Sequence, residues 1–163
     1  MNYSRVSGPA DAPCIECINP VRGRWCIRWD YQPDADNSAL ASYIECTLQH
    51  KPSASEVTDI ITAWVNQQVD QRILQGLTFE GSVVWLSIEN QLNYKSAYDL
   101  AVQTEGESLP VVIKMGPEEA PVYRQFSDLT DFSSFYHDVV NHIERSIAWG
   151  WEQKDAIDTT LYT

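Results

Sequence analysis

The hydrophobic spacing of this chain first changes period at Ser53, from two residues to about 3.6, and that change limits the folds open to it. Ahead of Ser53 apolar and polar residues alternate. Trp25, Ile27, Trp29 and Tyr31 are interleaved with Cys26, Arg28 and Asp30, the period-two pattern of a half-buried strand with aromatics on one face. Ile44, Cys46 and Leu48 alternate in the same way with Tyr43, Glu45 and Thr47, so a second strand is expected over about residues 41–50. A short strand over residues 14–18 precedes both, turned by Asn19-Pro20-Val21-Arg22-Gly23. After Ser53 the spacing is helical. Val57, Ile60, Ile61, Trp64, Val65, Val69 and Ile73 make one stripe, opened by a Ser53…Glu56 capping box and closed at Gly76.

The remainder repeats short strands and helices. Residues 77–86 read as two strands around Glu80-Gly81, and Ser87 caps a second helix over about residues 88–103. The stripe of that helix is expected to be Leu92, Tyr94, Ala97, Tyr98 and Ala101. Residues 111–115 and 122–126 form a second hairpin. A third helix starts near Ser127 or Thr130, with Asp128 and Asp131 complementing its dipole. Phe132, Phe135, Tyr136, Val139, Val140, Ile143 and Ile147 give it the clearest apolar stripe, and residues 159–163 are expected to fray. Tight turns between successive strands require antiparallel pairing. The class is therefore α+β: a small antiparallel N-terminal sheet, then three helices interleaved with two β-hairpins. Residues 1–13 read as an extended arm, disordered or pinned on a neighbour, 14–51 as the β layer and 52–163 as the helix-hairpin module.

Charge excludes several functions. Eleven Lys and Arg face 23 Asp and Glu among 163 residues, a formal net charge of −12. The densest cationic stretch, Arg22, Arg24 and Arg28, is hemmed by Glu16 and Asp30. Neither nucleic acid nor an anionic membrane surface is an expected partner. No run reaches the ~18 apolar residues of a membrane span, and Met1-Asn2-Tyr3-Ser4-Arg5 lacks a signal core, so a cytosolic or packaged protein is expected.

Chemistry is sparse. Cys14-Ile15-Glu16-Cys17 has the spacing of a zinc-gripping pair, and Cys26 and Cys46 would complete four ligands. The favoured reading is four ordinary thiols on strands, with no metal and no cofactor. His137 and His142 are five residues apart and cannot share a metal as an i,i+4 pair does, whereas Asp138 and His142 are spaced to bond. Asp34 with Asp36 and Glu118 with Glu119 are carboxylate pairs in turns; the first lacks the Gly and bidentate Glu of a calcium loop. Hydrolase, phosphate-loop, dinucleotide and zinc-protease signatures are absent, and no enzymatic activity is expected. Aromatics are the excess that remains. Trp25, Trp29, Tyr31, Trp149 and Trp151 are candidate interface residues, the first three also being candidates for a core against Trp64.

Gly76-Leu77-Thr78-Phe79-Glu80-Gly81 followed by Trp85-Leu86-Ser87-Ile88-Glu89-Asn90-Gln91-Leu92-Asn93-Tyr94 resembles a domain of unknown function. That domain recurs in tail-region proteins of phages and prophages, often at the C-terminus of tail-fibre or tail-accessory proteins. Asp128-Leu129 through Tyr136 is similar to the start of its last helix, and the Arg24-Trp25 to Arg28-Trp29-Asp30 stretch looks like sequences that accompany it in phages of gut anaerobes. The resemblance covers half to two-thirds of the chain and carries no catalytic residues. It implies a structural or tail-accessory protein that binds other phage structural proteins and forms homo-oligomers, located in the virion or in the host cytoplasm during assembly. A fibre-assembly chaperone and a small glycan-binding or glycan-processing protein are the alternatives.

Overall fold

The computed structural model describes residues 3–163. It is α+β. Four strands, β1 (Ser4–Pro9), β2 (Ile15–Asn19), β3 (Arg24–Pro33) and β4 (Leu40–Leu48), form an antiparallel sheet in the order β1-β4-β3-β2. Three helices follow, α1 (Ala54–Gln75), α2 (Ile88–Gln103) and α3 (Leu129–Asp155). Two hairpins separate them: β5 (Leu77–Phe79) with β6 (Ser82–Val84), and β7 (Val111–Met115) with β8 (Val122–Phe126).

Two differences from the sequence expectation concern the chain ends. The arm expected over residues 1–13 is an extended strand for six residues, and it belongs to the protein's own sheet: β1 pairs with β4 from Ser4↔Glu45 to Pro9↔Leu40. Its small residues hid it, because an edge strand of Ser and Gly shows no apolar alternation. Residues 1–2 of that arm lie outside the described residues. The tail expected to fray is instead a 3-10 turn, Thr159–Tyr162. In it Asp158 accepts from the Thr160 N–H, and Tyr162 is 6% exposed with its hydroxyl donating to the Arg28 carbonyl at 3.0 Å.

The chain divides into two compact units, and the division does not fall at residues 51/52. Residues through Asn66, with Gln153–Thr163, make the first; Gln67–Glu152 make the second. The limits lie inside α1 and α3.

In the first unit the sheet buries both faces of β3, and Cys26, Ile27, Arg28 and Trp29 are all buried. Val57, Ile60, Ile61, Trp64 and Val65 of α1 are buried at helical spacing, and Trp64 meets Trp29 edge-on with ring centroids 5.9 Å apart. Ser53 Oγ accepts from the Glu56 N–H, half of the capping box. The Glu56 carboxylate takes His50 Nε2 at 2.8 Å in place of the return bond.

The second unit is built on phenylalanines. Phe126, Phe132 and Phe135 are fully buried, with Phe126 5.2 Å from Phe132 and 5.1 Å from Phe135. Phe79 of β5 and Tyr94 of α2 join Phe135 edge-on. Helix α2 starts where Ser87 accepts from the Asn90 N–H, and α3 where Asp128 accepts from the Asp131 N–H. Leu92 departs from the expected α2 stripe and is 63% exposed, because it lies two residues, about 200°, from Tyr94. Tyr94 and Ala101 are the buried residues of that helix.

Candidate functional site

The five candidate interface aromatics do not form one surface. Trp29 is 6% exposed and belongs to the core with Trp64, the second of its two readings. Trp25 is half-buried beneath the Lys51 ammonium, 5.5 Å from its ring. Tyr31 leaves the Trp25–Trp29 face altogether. The register jumps between Trp29↔Ile44 and Gln32↔Ser42, so Asp30 and Tyr31 together oppose Tyr43. Asp30 takes φ +53°, the mark of a bulge that shifts the alternation by one residue. Tyr31 therefore packs 4.9 Å from Tyr43 with the two rings tilted by 40°, on the Arg28 face, and its hydroxyl donates to the Ala12 carbonyl. Trp149 is half-buried with the Arg72 guanidinium 4.4 Å from its ring, and Trp151 is 62% exposed. Of the five, Trp151 alone stands mostly in solvent.

The cysteines are distributed by the sheet, not gathered by it. Glu16 pairs with Cys26 and Cys17 with Trp25, so strand alternation sends Cys14 and Cys17 to opposite faces. Cys46 pairs with Ile27 and lies across the sheet from Cys26. The C-x-x-C spacing grips a metal from a turn; on a strand it separates its thiols. Among the described residues no three His, Cys, Asp or Glu side chains gather into a metal-holding group. Burial first, and the neighbouring Glu45 carboxylate second, push the Cys26 thiol up to about 12, which leaves it protonated and inert at neutral pH.

Arg28 organises the most condensed polar cluster. Its guanidinium, 8% exposed as a residue, meets Glu16 at 2.9 Å and Glu45 at 3.1 Å, and donates to the Pro13 carbonyl at 3.0 Å. Burial works against its charge, but the two carboxylates outweigh burial and raise its pKa. Two acids thus converge on one point, and a cation already fills that point. The tyrosine hydroxyls near it are donors to backbone carbonyls, and burial raises the pKa of both Tyr31 and Tyr162. The cluster fixes strands; it presents no group ready for acid–base work.

The other sequence candidates are likewise used locally. Asp34 Oδ1 accepts from the Asp36 and Asn37 N–H groups, closing its own turn. His142 does not bond Asp138: its Nε2 donates to the Arg72 carbonyl at 3.0 Å. Arg124 joins β8 to the first hairpin and to α3. It meets Glu80 through two bonds of 2.9 and 3.2 Å and Asp131 at 2.9 Å, and this pairing lowers the Glu80 pKa.

The feature that single-residue reasoning missed is a groove of about 570 Å3 in the second unit. One wall is strand β7, with Val111, Val112, Ile113 and Lys114 in succession. The other is α2, through Asn90, Asn93, Tyr94 and Ala97, which are spaced to share one helix face. Trp85, Gly116 and Glu118 stand at one end, where the Trp85 indole N–H donates to the Gly116 carbonyl at 2.8 Å. Asn90 turns its amide to the Trp85 carbonyl, while Asn93 is exposed. One signal for it was in the sequence: a hairpin followed and preceded by helices has no third strand, so the outer edges of both its strands, that of β7 among them, lack a strand partner.

Among the described residues no helix is long and apolar enough to cross a membrane. Comparison of the chain with protein-family models, with curated proteins and with solved structures gave no match to any of them.

Proposed function

We propose that this chain is a non-enzymatic structural or tail-accessory protein of a phage or prophage, working through contacts with other virion proteins. Two lines support the reading. The first is the resemblance carried by residues 76–94 and 128–136. The second, which carries the protein–protein part, is the apolar surface left open on the second unit. Ile88, Leu92 and Leu100 of α2 are 80%, 63% and 52% exposed and recur at multiples of four, so they line one outer helix face. Val112 and Tyr123 on the second hairpin are 55% and 65% exposed. Exposed apolar rows of this kind are characteristic of protein contact sites. The polar clusters fit the same reading, since their charges are spent on one another.

The test is mass spectrometry of purified particles from an induced host, with light scattering on the isolated protein. Stoichiometric chain in finished particles, and an oligomer in solution, are expected. Chain present in the lysate but missing from particles would assign the assembly-chaperone role instead. A strict monomer found in neither fraction with any phage protein would overturn the proposal.

A further inference from the structure

The peptide geometry of β7 shows which of its backbone groups are unspent. The Gly116 N–H donates to the Val83 carbonyl at 2.7 Å, away from β8. In a trans peptide the C=O opposes the following N–H, so the Met115 carbonyl faces β8. An antiparallel strand turns the N–H and C=O of one residue to the same side and alternates sides along the chain. Met115 and Ile113 therefore bond β8, at their partners Val122 and Arg124. Val112 and Lys114 turn their N–H and C=O groups the other way. Among the described residues no hydrogen bond from outside the hairpin reaches them; β7 is paired in a sheet with β8 alone, and β6 touches it only toward its Gly116 end.

That open edge is one wall of the groove described above, with α2 as the other. We infer that the groove is a strand-addition site that takes an extended polypeptide segment of a partner protein, which pairs its backbone with Val112 and Lys114 beneath α2. This inference rests on the proposed protein–protein role and names its site. Five residues of β7 at about 3.3 Å each give roughly 17 Å of edge, and two N–H and C=O pairs within it fix register. The volume, about 570 Å3, lies within the ~300–1,000 Å3 typical of ligand clefts. Charge selects the side chains. Lys114 and Glu118 line the groove, and neither has an ion-pair partner among the described residues. The segment that complements them carries an acid opposite Lys114 and a base toward Glu118. Tyr94 and Ala97 leave an apolar wall for a side chain between the two. A second copy of β7 does not complement the groove, because Val111–Met115 carries Lys114 and no acid to set opposite it.

The experiment uses the full chain and a random seven-residue peptide library displayed on a filamentous-phage coat. Enriched peptides are synthesised and followed by fluorescence anisotropy and by amide hydrogen exchange. In the unliganded protein the Val112 and Lys114 amides should exchange far faster than those of Ile113 and Met115. Peptide should slow the first pair and leave the second unchanged. Val112→Pro removes an edge donor without touching a bond to β8, and Asn93→Trp fills the groove from an exposed helix position. Each should weaken binding at least tenfold, as should methylating alternate backbone nitrogens of the peptide, while Lys114→Glu should reverse the preference for an acid. Enrichment equal to that on Val112→Pro, binding insensitive to both variants, or Val112 and Lys114 amides already protected in the free chain would each overturn the inference. Those outcomes leave the particle proteomics untouched, so failure of the site and failure of the proposed role are separable.

Discussion

Replacing Gly76 by alanine is the sharpest test of how the second unit is held together, and Gly81 supplies its control. Both have left-handed backbones, with φ +76° and +80°. An L-residue there costs about 1–2 kcal/mol in either case. Their surroundings differ. A Cβ at Gly81 meets nothing within 4 Å, whereas at Gly76 it lies 2.9 Å from the Val84 carbonyl carbon and closer still to its oxygen, inside the 3.0 Å that real Cβ atoms respect. Backbone cannot rotate away as a side chain does, so Val84 must move. That breaks the Leu77↔Val84 pairing, about 1 kcal/mol for a lost hydrogen bond, and unpacks a residue that is 0% exposed, about 1 kcal/mol more. Gly76→Ala is therefore expected to cost about 3–4 kcal/mol. Gly81→Ala should cost about 1 kcal/mol, since part of its strain is offset by the stiffer unfolded chain. Equilibrium urea unfolding of both variants, followed by tryptophan fluorescence, measures the difference. With a slope of about 1–3 kcal/mol per molar urea, the midpoints should separate by about 1 M or more. Equal losses would show that conformation alone sets the cost and that the close approach of Gly76 to Val84 is not a constraint.

Alkali should weaken the fold through its buried acids. Folding raises the Cys26 thiol from 9.0 to about 12, so its contribution is intact below pH 9 and is lost as pH climbs from 9 toward 12. One such proton changes stability by up to about 1.4 kcal/mol per pH unit, and Tyr31 and Tyr162, also raised, add to the loss above pH 10. Urea midpoints that stay constant from pH 8 to 11 would contradict this. Tyr162→Phe should lose about 1 kcal/mol by leaving the Arg28 carbonyl without its donor, and should flatten the alkaline limb of the same titration. Trp29→Ala should cost about 3–5 kcal/mol, while Trp151→Ala should stay within about 0.5 kcal/mol in stability and register, if anywhere, in the light-scattering mass. Iodoacetamide at pH 8 should leave Cys26 unmodified in the native chain and reach it in urea, as peptide mass mapping will show.

Elements governed by local rules were readable from residues alone. Ser87 before a helix and Gly76 after one announce themselves by their chemistry, and Val57 through Val65 show their buried face by spacing. What escaped reading was set by pairing across the chain. A strand of Ser4, Ser7 and Gly8 has no pattern of its own and exists because β4 offers an edge. Tyr31 changes face because a single residue, Asp30, is added to the register, an event no period count detects. His142 finds the Arg72 carbonyl, 70 residues away, before the Asp138 next to it on its own helix. The candidate site follows the same rule. Aromatic excess pointed to Trp25, Trp29 and Tyr31, which tertiary packing absorbed, while the groove depends on backbone groups that every residue carries and no composition reveals.

The nesting of one unit's chain within the other's imposes an order on biosynthesis. Everything the Phe126–Phe132–Phe135 cluster needs has been translated once Glu152 has cleared the ribosome, whereas Tyr162 and its bond to Arg28 arrive after that. On a growing chain the interrupted unit must wait with its β-sheet one anchor short. A nascent chain extended by a C-terminal linker, and stalled so that Glu152 has left the exit tunnel while Tyr162 is still inside it, should yield a protease-resistant fragment from the uninterrupted unit first.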